Sequence, residues 1–223
     1  MTKVENNTDQ QKPQLRVTLF TDYICPFCFI GDLRLQHLQE DYEVLVNFRF
    51  IEIHPDTPVQ GSTVDSLDYS EQQWQGMMDG LVEMAQEEGI KLAPVHLLAN
   101  SHRALLLAEA VKKEGRVIFY KFNQALYREY FIEGKNIGDV EVLKDIASAC
   151  GVSEVVFERA WQDKEYETTL QMNMSMAVKA GVTATPTFFI GQQRLTGAVS
   201  ESKLRQAADA AIAERNAKQV SSS

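Results

Sequence analysis

Cysteine is scarce in this sequence, with three residues among 223. That is too few for a disulfide-stapled secreted scaffold and one short of the four thiolates of an all-cysteine zinc site. Basic side chains are also in deficit, 22 against 31 acidic, and the resulting net charge of -9 opposes binding to phosphate backbones and anionic lipid surfaces. Neither nucleic acid nor a membrane surface is expected as a partner. No run of about 18 apolar residues occurs, and residues 1–14 lack the apolar segment and small-residue cleavage site of a secretory leader. The expectation is a cytoplasmic protein, a setting where close cysteines serve catalysis, redox sensing or metal binding rather than structure. What is present is an ordinary globular composition, 44% hydrophobic and 24% charged, in a chain longer than a minimal redox or zinc module needs.

Residues 1–14 are polar and aperiodic and are expected to form a disordered tail, as are Ser221, Ser222 and Ser223 at the other end. Leu15, Val17, Leu19 and Phe20 have strand character and lead into Thr21-Asp22-Tyr23-Ile24-Cys25-Pro26-Phe27-Cys28, after which Leu33, Leu35 and Leu38 mark a helix. A second strand over 44–53 is apolar on both faces, which predicts a central place in a sheet. His54-Pro55-Asp56-Thr57-Pro58 ends it. From about residue 65 to 181 the pattern is helical. Trp74, Met77, Met78, Leu81, Val82 and Ala85 form one apolar stripe, and further helices are expected over 97–114, 117–131, after Asp139, after Ser153, and over 166–180. A hairpin follows, Thr187-Phe188-Phe189-Ile190 and a strand near 194–198, then a helix capped by Ser200. The order is β-α-β at one end, β-β-α at the other, and helices between.

Cys25-Pro26-Phe27-Cys28 at a strand-to-helix junction carries the chemistry. Two thiols three positions apart can close a small disulfide, and the first sits against the unpaired N–H groups of the helix start, which favour thiolate. An unperturbed thiol is only roughly 3% ionised at neutral pH, so such a shift matters. Cys28, deeper in the helix, would be the resolving thiol. Half a zinc site and a pair of inert core cysteines are the competing readings, but no second cysteine pair or histidine motif lies nearby to complete a metal site. Thr185-Pro186 ahead of the hairpin is a second signal, since a proline there can begin the strand or carry a cis bond.

These pieces resemble the DsbA-like branch of the thioredoxin superfamily. More narrowly, the segment from Asp22 through Cys25-Pro26-Phe27-Cys28 to Gly31, with Asn100-Ser101-His102-Arg103-Ala104, Ile137-Gly138-Asp139 and 181–188, is similar to the FrnE-type cytoplasmic dithiol oxidoreductases. The resemblance spans about 15–213. It implies an α/β thioredoxin-like fold over 15–61 and 182–217, interrupted by an all-helical insertion domain over 62–181 that forms a lid. It also implies that Cys25 is the nucleophile, Cys28 the resolver, and Pro186 a cis-proline, with Pro26, Phe27 and Thr185 beside it in contact with substrate. No metal and no cofactor is implied. The partners would be disulfide- or dithiol-containing proteins or small molecules, glutathione among them.

The sequence departs from the family at Leu19, where thioredoxins carry a buried acid six positions before the nucleophile. Asp22 and Glu52 are the substitute candidates, with Asp22 read first as a helix cap. Asn100 and His102 read as a cap and an exposed histidine at a helix start, Cys150 as a buried inert thiol, and Met172, Met174 and Met176 as core. Two alternative functions share the pattern. One is a glutathione-dependent isomerase or transferase of the hydroxychromene-carboxylate isomerase or kappa-class type, which places serine at the position of Cys25. The other is a redox switch or chaperone-like module that does not turn over.

Overall fold

The computed structural model describes residues 12–94 and 97–221. Residues 1–11 of the expected tail, and Ser222 and Ser223, lie outside the described residues. Order nevertheless begins earlier than the pattern suggests. Gln14 already pairs with Glu43 in the first strand, and Arg215 Nη1 donates to its carbonyl at 2.6 Å.

Four strands make the main sheet. β1 (Gln14–Thr21) runs parallel to β2 (Glu43–Phe50) and antiparallel to β5 (Thr187–Ile190), which pairs antiparallel with β6 (Gln193–Thr196). The order is β2-β1-β5-β6. Alternation along β1 sets its two faces: Leu15, Val17 and Leu19 enter the main core, while Phe20 packs on the opposite face with Phe189. Against the sheet lie α1 (Pro26–His37), which follows the cysteine turn, and α8 (Glu201–Ser221), whose Leu204, Ala207 and Ala208 are buried.

β2 is a sheet edge, not the central strand its two apolar faces predict. The helices that follow it cover what a neighbouring strand would have covered. Lys112 Nζ donates to Phe48 O at 2.8 Å, Arg116 Nη2 donates to Val44 O at 3.1 Å, and the Tyr120 hydroxyl accepts the Val46 N–H at 3.4 Å. Side chains thus occupy the outward backbone groups that would otherwise template another strand.

The intervening segment carries α2 (Glu71–Glu87), α3 (His102–Val111), α4 (Arg116–Phe131), α5 (Val140–Cys150), α6 (Glu154–Arg159) and α7 (Lys164–Lys179). Local chemistry marks their ends. Ser70 and Gln73 form a reciprocal capping box, Asp139, Ser153 and Asp163 accept N–H groups of their first turns, and Gly151 closes α5 at φ 83°. One departure is a short antiparallel ladder of β3 (Ser62–Thr63) with β4 (Leu97–Leu98), where the pattern predicted helix from residue 97. Tyr130 is the reason: its hydroxyl donates to Leu97 O at 2.8 Å and accepts Ala99 N–H at 3.3 Å, holding the chain extended.

Met172, Met174 and Met176 are exposed, contrary to the core reading. The buried stripe of α7 is Tyr166, Leu170, Asn173 and Ala177, and the methionines fall between those positions. The main core joins both parts of the chain. Phe29 of α1 stacks on Tyr127 and Phe131 of α4, and Tyr23 packs between Tyr127 and Phe50 of β2. A buried ion pair adds to this. Arg34 of α1 bonds Glu87 at 2.6 Å and Glu88 at 2.7 Å, while its Nη1 donates to Ala198 O and Val199 O ahead of α8.

Candidate functional site

The turn between β1 and α1 creates the site. Cys25 N–H donates to Asp22 O at 3.2 Å and Cys28 N–H to Cys25 O at 3.0 Å, so the chain leaves the sheet and enters the helix within four residues. Cys25 is the N-cap residue, in extended conformation, and Pro26 takes the first helical position, where its missing N–H costs nothing. Both thiols are in the core, but Cys25 keeps 5% of its surface exposed and Cys28 none.

The cis peptide Thr185-Pro186 faces this pair. Cys25 Sγ lies 3.5 Å from Thr185 O. Pro186 is buried, while Thr183 and Ala184 on the approach to it are exposed. The close approach depends on Gly31, because a Cβ there would stand 2.9 Å from Phe188 Cζ and 3.0 Å from Pro186 Cγ. Phe27 is half-buried and leans on the cluster that α2 supplies with Leu81 and Ala85. Four sequence-predicted residues therefore converge, namely Cys25, Cys28, Thr185 and Pro186, while Pro26 and Phe27 form the adjoining shoulder.

The two thiols are electrostatically unequal. A hydrogen bond from the Cys28 thiol, aided by Thr185 and the Cys28 backbone N–H, lowers the Cys25 pKa against the opposing effect of burial. Burial, followed by the bond to Cys25, drives the Cys28 pKa well up. One sulfur is thus prepared to be thiolate while the other holds its proton, which is the division of labour that thiol exchange needs.

Asp22 is not a cap of α1. Its carboxylate is fully enclosed and accepts Ile24 N–H at 3.4 Å, Ile53 N–H at 2.9 Å and the Ser101 hydroxyl at 3.1 Å. Burial outweighs those three donors and raises its pKa from 3.8 to about 7. Its charge also reaches Cys25, whose pKa it opposes lowering. Glu52, the other candidate, instead bonds His102 Nδ1 at 3.2 Å, and His102 Nε2 lies 3.3 Å from Glu167. His102 is therefore doubly paired rather than free. Asn100 is not the cap residue of α3, which is Ser101; it lies one residue earlier, its Oδ1 accepting His102 N–H at 3.0 Å and its Nδ2 donating to Thr57 O at 2.6 Å. Cys150 is buried on α5, with its pKa raised by that burial.

Sequence reasoning missed a buried polar layer behind Cys28. Thr21 and Tyr127 share a 2.7 Å hydrogen bond, and Tyr23 donates to Asn123, which donates to Asp32 of α1 at 3.2 Å. Burial lifts the Asp32 pKa to about 6. Strand parity contained the signal for Thr21, because it continues the inward series Leu15, Val17, Leu19 and places a hydroxyl in the core just before the cysteine turn. Among the described residues no cluster of histidine, cysteine and carboxylate side chains could hold a metal ion.

The fold has counterparts among known proteins. A probable DsbA oxidoreductase from Streptomyces coelicolor superposes with a TM-score of 0.79 at 22% identity, covering 90% of this chain and 91% of that one. A 2-hydroxychromene-2-carboxylate isomerase superposes with a TM-score of 0.68 at 16% identity, covering 92% and 98%. Among curated sequences, the uncharacterized protein YwbO of Bacillus subtilis (strain 168) is 25% identical over 195 residues, 86% of this chain and 95% of that protein. The profile of the DSBA-like thioredoxin domain matches residues 16–209, and the chain belongs to that family.

Proposed function

We propose that this protein exchanges disulfides through Cys25 and Cys28. In the reducing direction the Cys25 thiolate attacks one sulfur of a substrate disulfide, the other substrate sulfur leaves as thiolate, and a mixed disulfide forms. The Cys28 sulfur then attacks Cys25 Sγ, releases the second substrate thiol and leaves the protein disulfide; oxidation of a dithiol runs the same steps backwards. The observation that carries this reading is the placement of the thiol pair, Cys25 at the N-cap of α1 with its Sγ 3.5 Å from the carbonyl that precedes cis-Pro186 and Cys28 wholly buried behind it; the opposed pKa directions of the two sulfurs agree with it. The Thr185 backbone at that point suits an extended substrate segment that adds as a short strand. Asp22, ionising near neutrality beside the pair, is the group we assign to carry the proton between Cys28 and the departing thiolate.

Substrates on this reading are protein or small-molecule disulfides, with glutathione included, and no metal or cofactor takes part. The segment 62–181 would act as the lid that selects them. A cytoplasmic setting fits the low cysteine number. Among the described residues no helix is long and apolar enough to cross a membrane. The likeness to the carboxylate isomerase is one of fold, and the thiol pair is what supports disulfide exchange over that chemistry.

The test is trapping. Cys28→Ser should accumulate a mixed disulfide with a disulfide substrate, seen as a mass adduct on Cys25 that dithiothreitol removes. Cys25→Ser should form no adduct and show no turnover. Equal turnover by Cys25→Ser and the wild type would rule the mechanism out.

A further inference from the structure

His102 stands where three elements meet. It opens α3, and its imidazole lies between Glu52, two residues beyond the end of β2, and Glu167 in the first turn of α7. Nδ1 is 3.2 Å from Glu52 Oε2, and Nε2 is 3.3 Å from Glu167 Oε2. Carboxylate oxygens only accept, so both contacts are favourable at once only when both ring nitrogens carry a proton. A neutral imidazole has one N–H and turns the lone pair of its other nitrogen toward a carboxylate. The two carboxylates are unequally sheltered, Glu52 with a side chain 18% exposed and Glu167 with one 44% exposed. Leaving Glu52 without a donor costs more, so the neutral ring keeps its N–H there and gives up Glu167.

The position of this ring ties it to the cysteine turn. Ile53 and Ser101 are the sequence neighbours of Glu52 and His102, and both hold Asp22 Oδ2, the Ile53 N–H at 2.9 Å and the Ser101 hydroxyl at 3.1 Å. The Asp22 carbonyl in turn accepts the Cys25 N–H. The Glu52 to His102 contact therefore staples together the two segments that hold the turn, and the Glu167 contact fastens α7 to the same point.

We propose that His102 is a proton-operated clasp between the sheet and the inserted helices: as imidazolium it joins the exit of β2 to the first turn of α7, and on losing a proton it releases α7. The groups that face it are Glu52, Glu167 and Arg103, with the Asp22 carboxyl beyond Ile53 and Ser101. The bond to Glu52 raises the His102 pKa above 6.5, the charges of Glu52 and Glu167 add to this, and burial and Arg103 oppose it. A raised folded value means that the stabilisation is complete below 6.5 and is lost as pH rises through the folded midpoint. Release loosens the turn without detaching it, because Tyr166 is buried and Lys113 pairs with Glu165 at 2.8 Å. The clasp is independent of the chemistry proposed for the cysteines.

The test follows the ring and the helix separately in the full chain. Nitrogen-15 spectra of the histidine side chains should give His102 a midpoint above 6.5, moved down in Glu52→Gln and in Glu167→Gln. Amide exchange at residues 168–170, corrected for the intrinsic effect of pH, should quicken roughly two- to fivefold as pH passes through that midpoint, the size of a part-exposed ion pair. His102→Gln should exchange at the faster level at every pH with no such step, and Asp22→Asn should keep the step, which separates the clasp from the titration of Asp22. The clasp is overturned by a wild type with no step at the His102 midpoint, by a step that survives in His102→Gln or vanishes in Asp22→Asn, or by a midpoint that Glu167→Gln leaves unmoved.

Discussion

Replacing Asp22 with asparagine should change how stability depends on pH, and the size of the change follows from the carboxyl's environment. Unfolded, Asp22 ionises near 3.8; folded, burial moves this to about 7. Between those values the folded chain keeps a proton that the unfolded chain has released, so stability falls as pH rises through this window and is level above it. At ~1.4 kcal/mol per pH unit, the gap between 3.8 and about 7 corresponds to on the order of 4 kcal/mol. The substituted amide cannot ionise, and its oxygen can still accept Ile53 N–H and the Ser101 hydroxyl, which meet on one carboxylate oxygen in the wild type. Urea unfolding of both proteins at intervals from pH 4 to pH 8 isolates the effect, since Asp32, also raised by burial, contributes equally to each. The stability of Asp22→Asn relative to wild type should improve steadily up to about pH 7 and then hold. Two stability curves that run parallel across the window would refute the reasoning. Because the same carboxyl carries the proton in the proposed exchange, the substituted protein should also turn over more slowly despite its better stability at neutral pH.

Gly31→Ala should cost roughly 1–3 kcal/mol of stability, the range for overpacking a filled core, because its methyl group would stand 2.9 Å from Phe188 and 3.0 Å from Pro186. A urea midpoint equal to that of wild type would show that the loop carrying Pro186 yields freely. Arg34→Ala should cost roughly 3–5 kcal/mol because it takes the close partner from the buried Glu88 carboxylate and leaves only His37 Nε2 at 3.8 Å, whereas Glu87→Ala, at a side chain 61% exposed, should cost under about 1 kcal/mol. Similar losses from the two would contradict the distinction in burial.

The sequence pattern identified what local chemistry determines. The cysteine turn, the helix starts at Asp139 and Ser153, and the hairpin at 187–196 need only neighbouring residues to form, and the α/β class follows from their order. What escaped depends on partners distant in the chain. β2 reads as central because its faces are apolar, and only the placement of Lys112, Arg116 and Tyr120 reveals an edge covered by side chains. Asp22 reads as a cap because Asp before a helix often is one, but Ile53 and Ser101 claim its oxygens. The exposure of the α7 methionines follows from which face meets the sheet, a choice set by Leu170 and Ala177 rather than by methionine itself. The inward placement of Thr21 was visible by parity alone, whereas its hydrogen-bond partner Tyr127 lies far along the chain.

The shared aromatic core has a consequence for how such proteins can be altered. Tyr23 and Phe29 flank the cysteines in sequence, and their ring partners Tyr127 and Phe131 belong to the segment between the two halves of the sheet. That segment is thus not an exchangeable cassette. A chimera carrying another protein's helices would lose both the packing that holds the cysteine turn and the hydroxyl that meets Thr21, so transplanting the segment would disturb the turn as well. Alterations to the inserted helices are better made at their exposed side chains, with the inward face left intact.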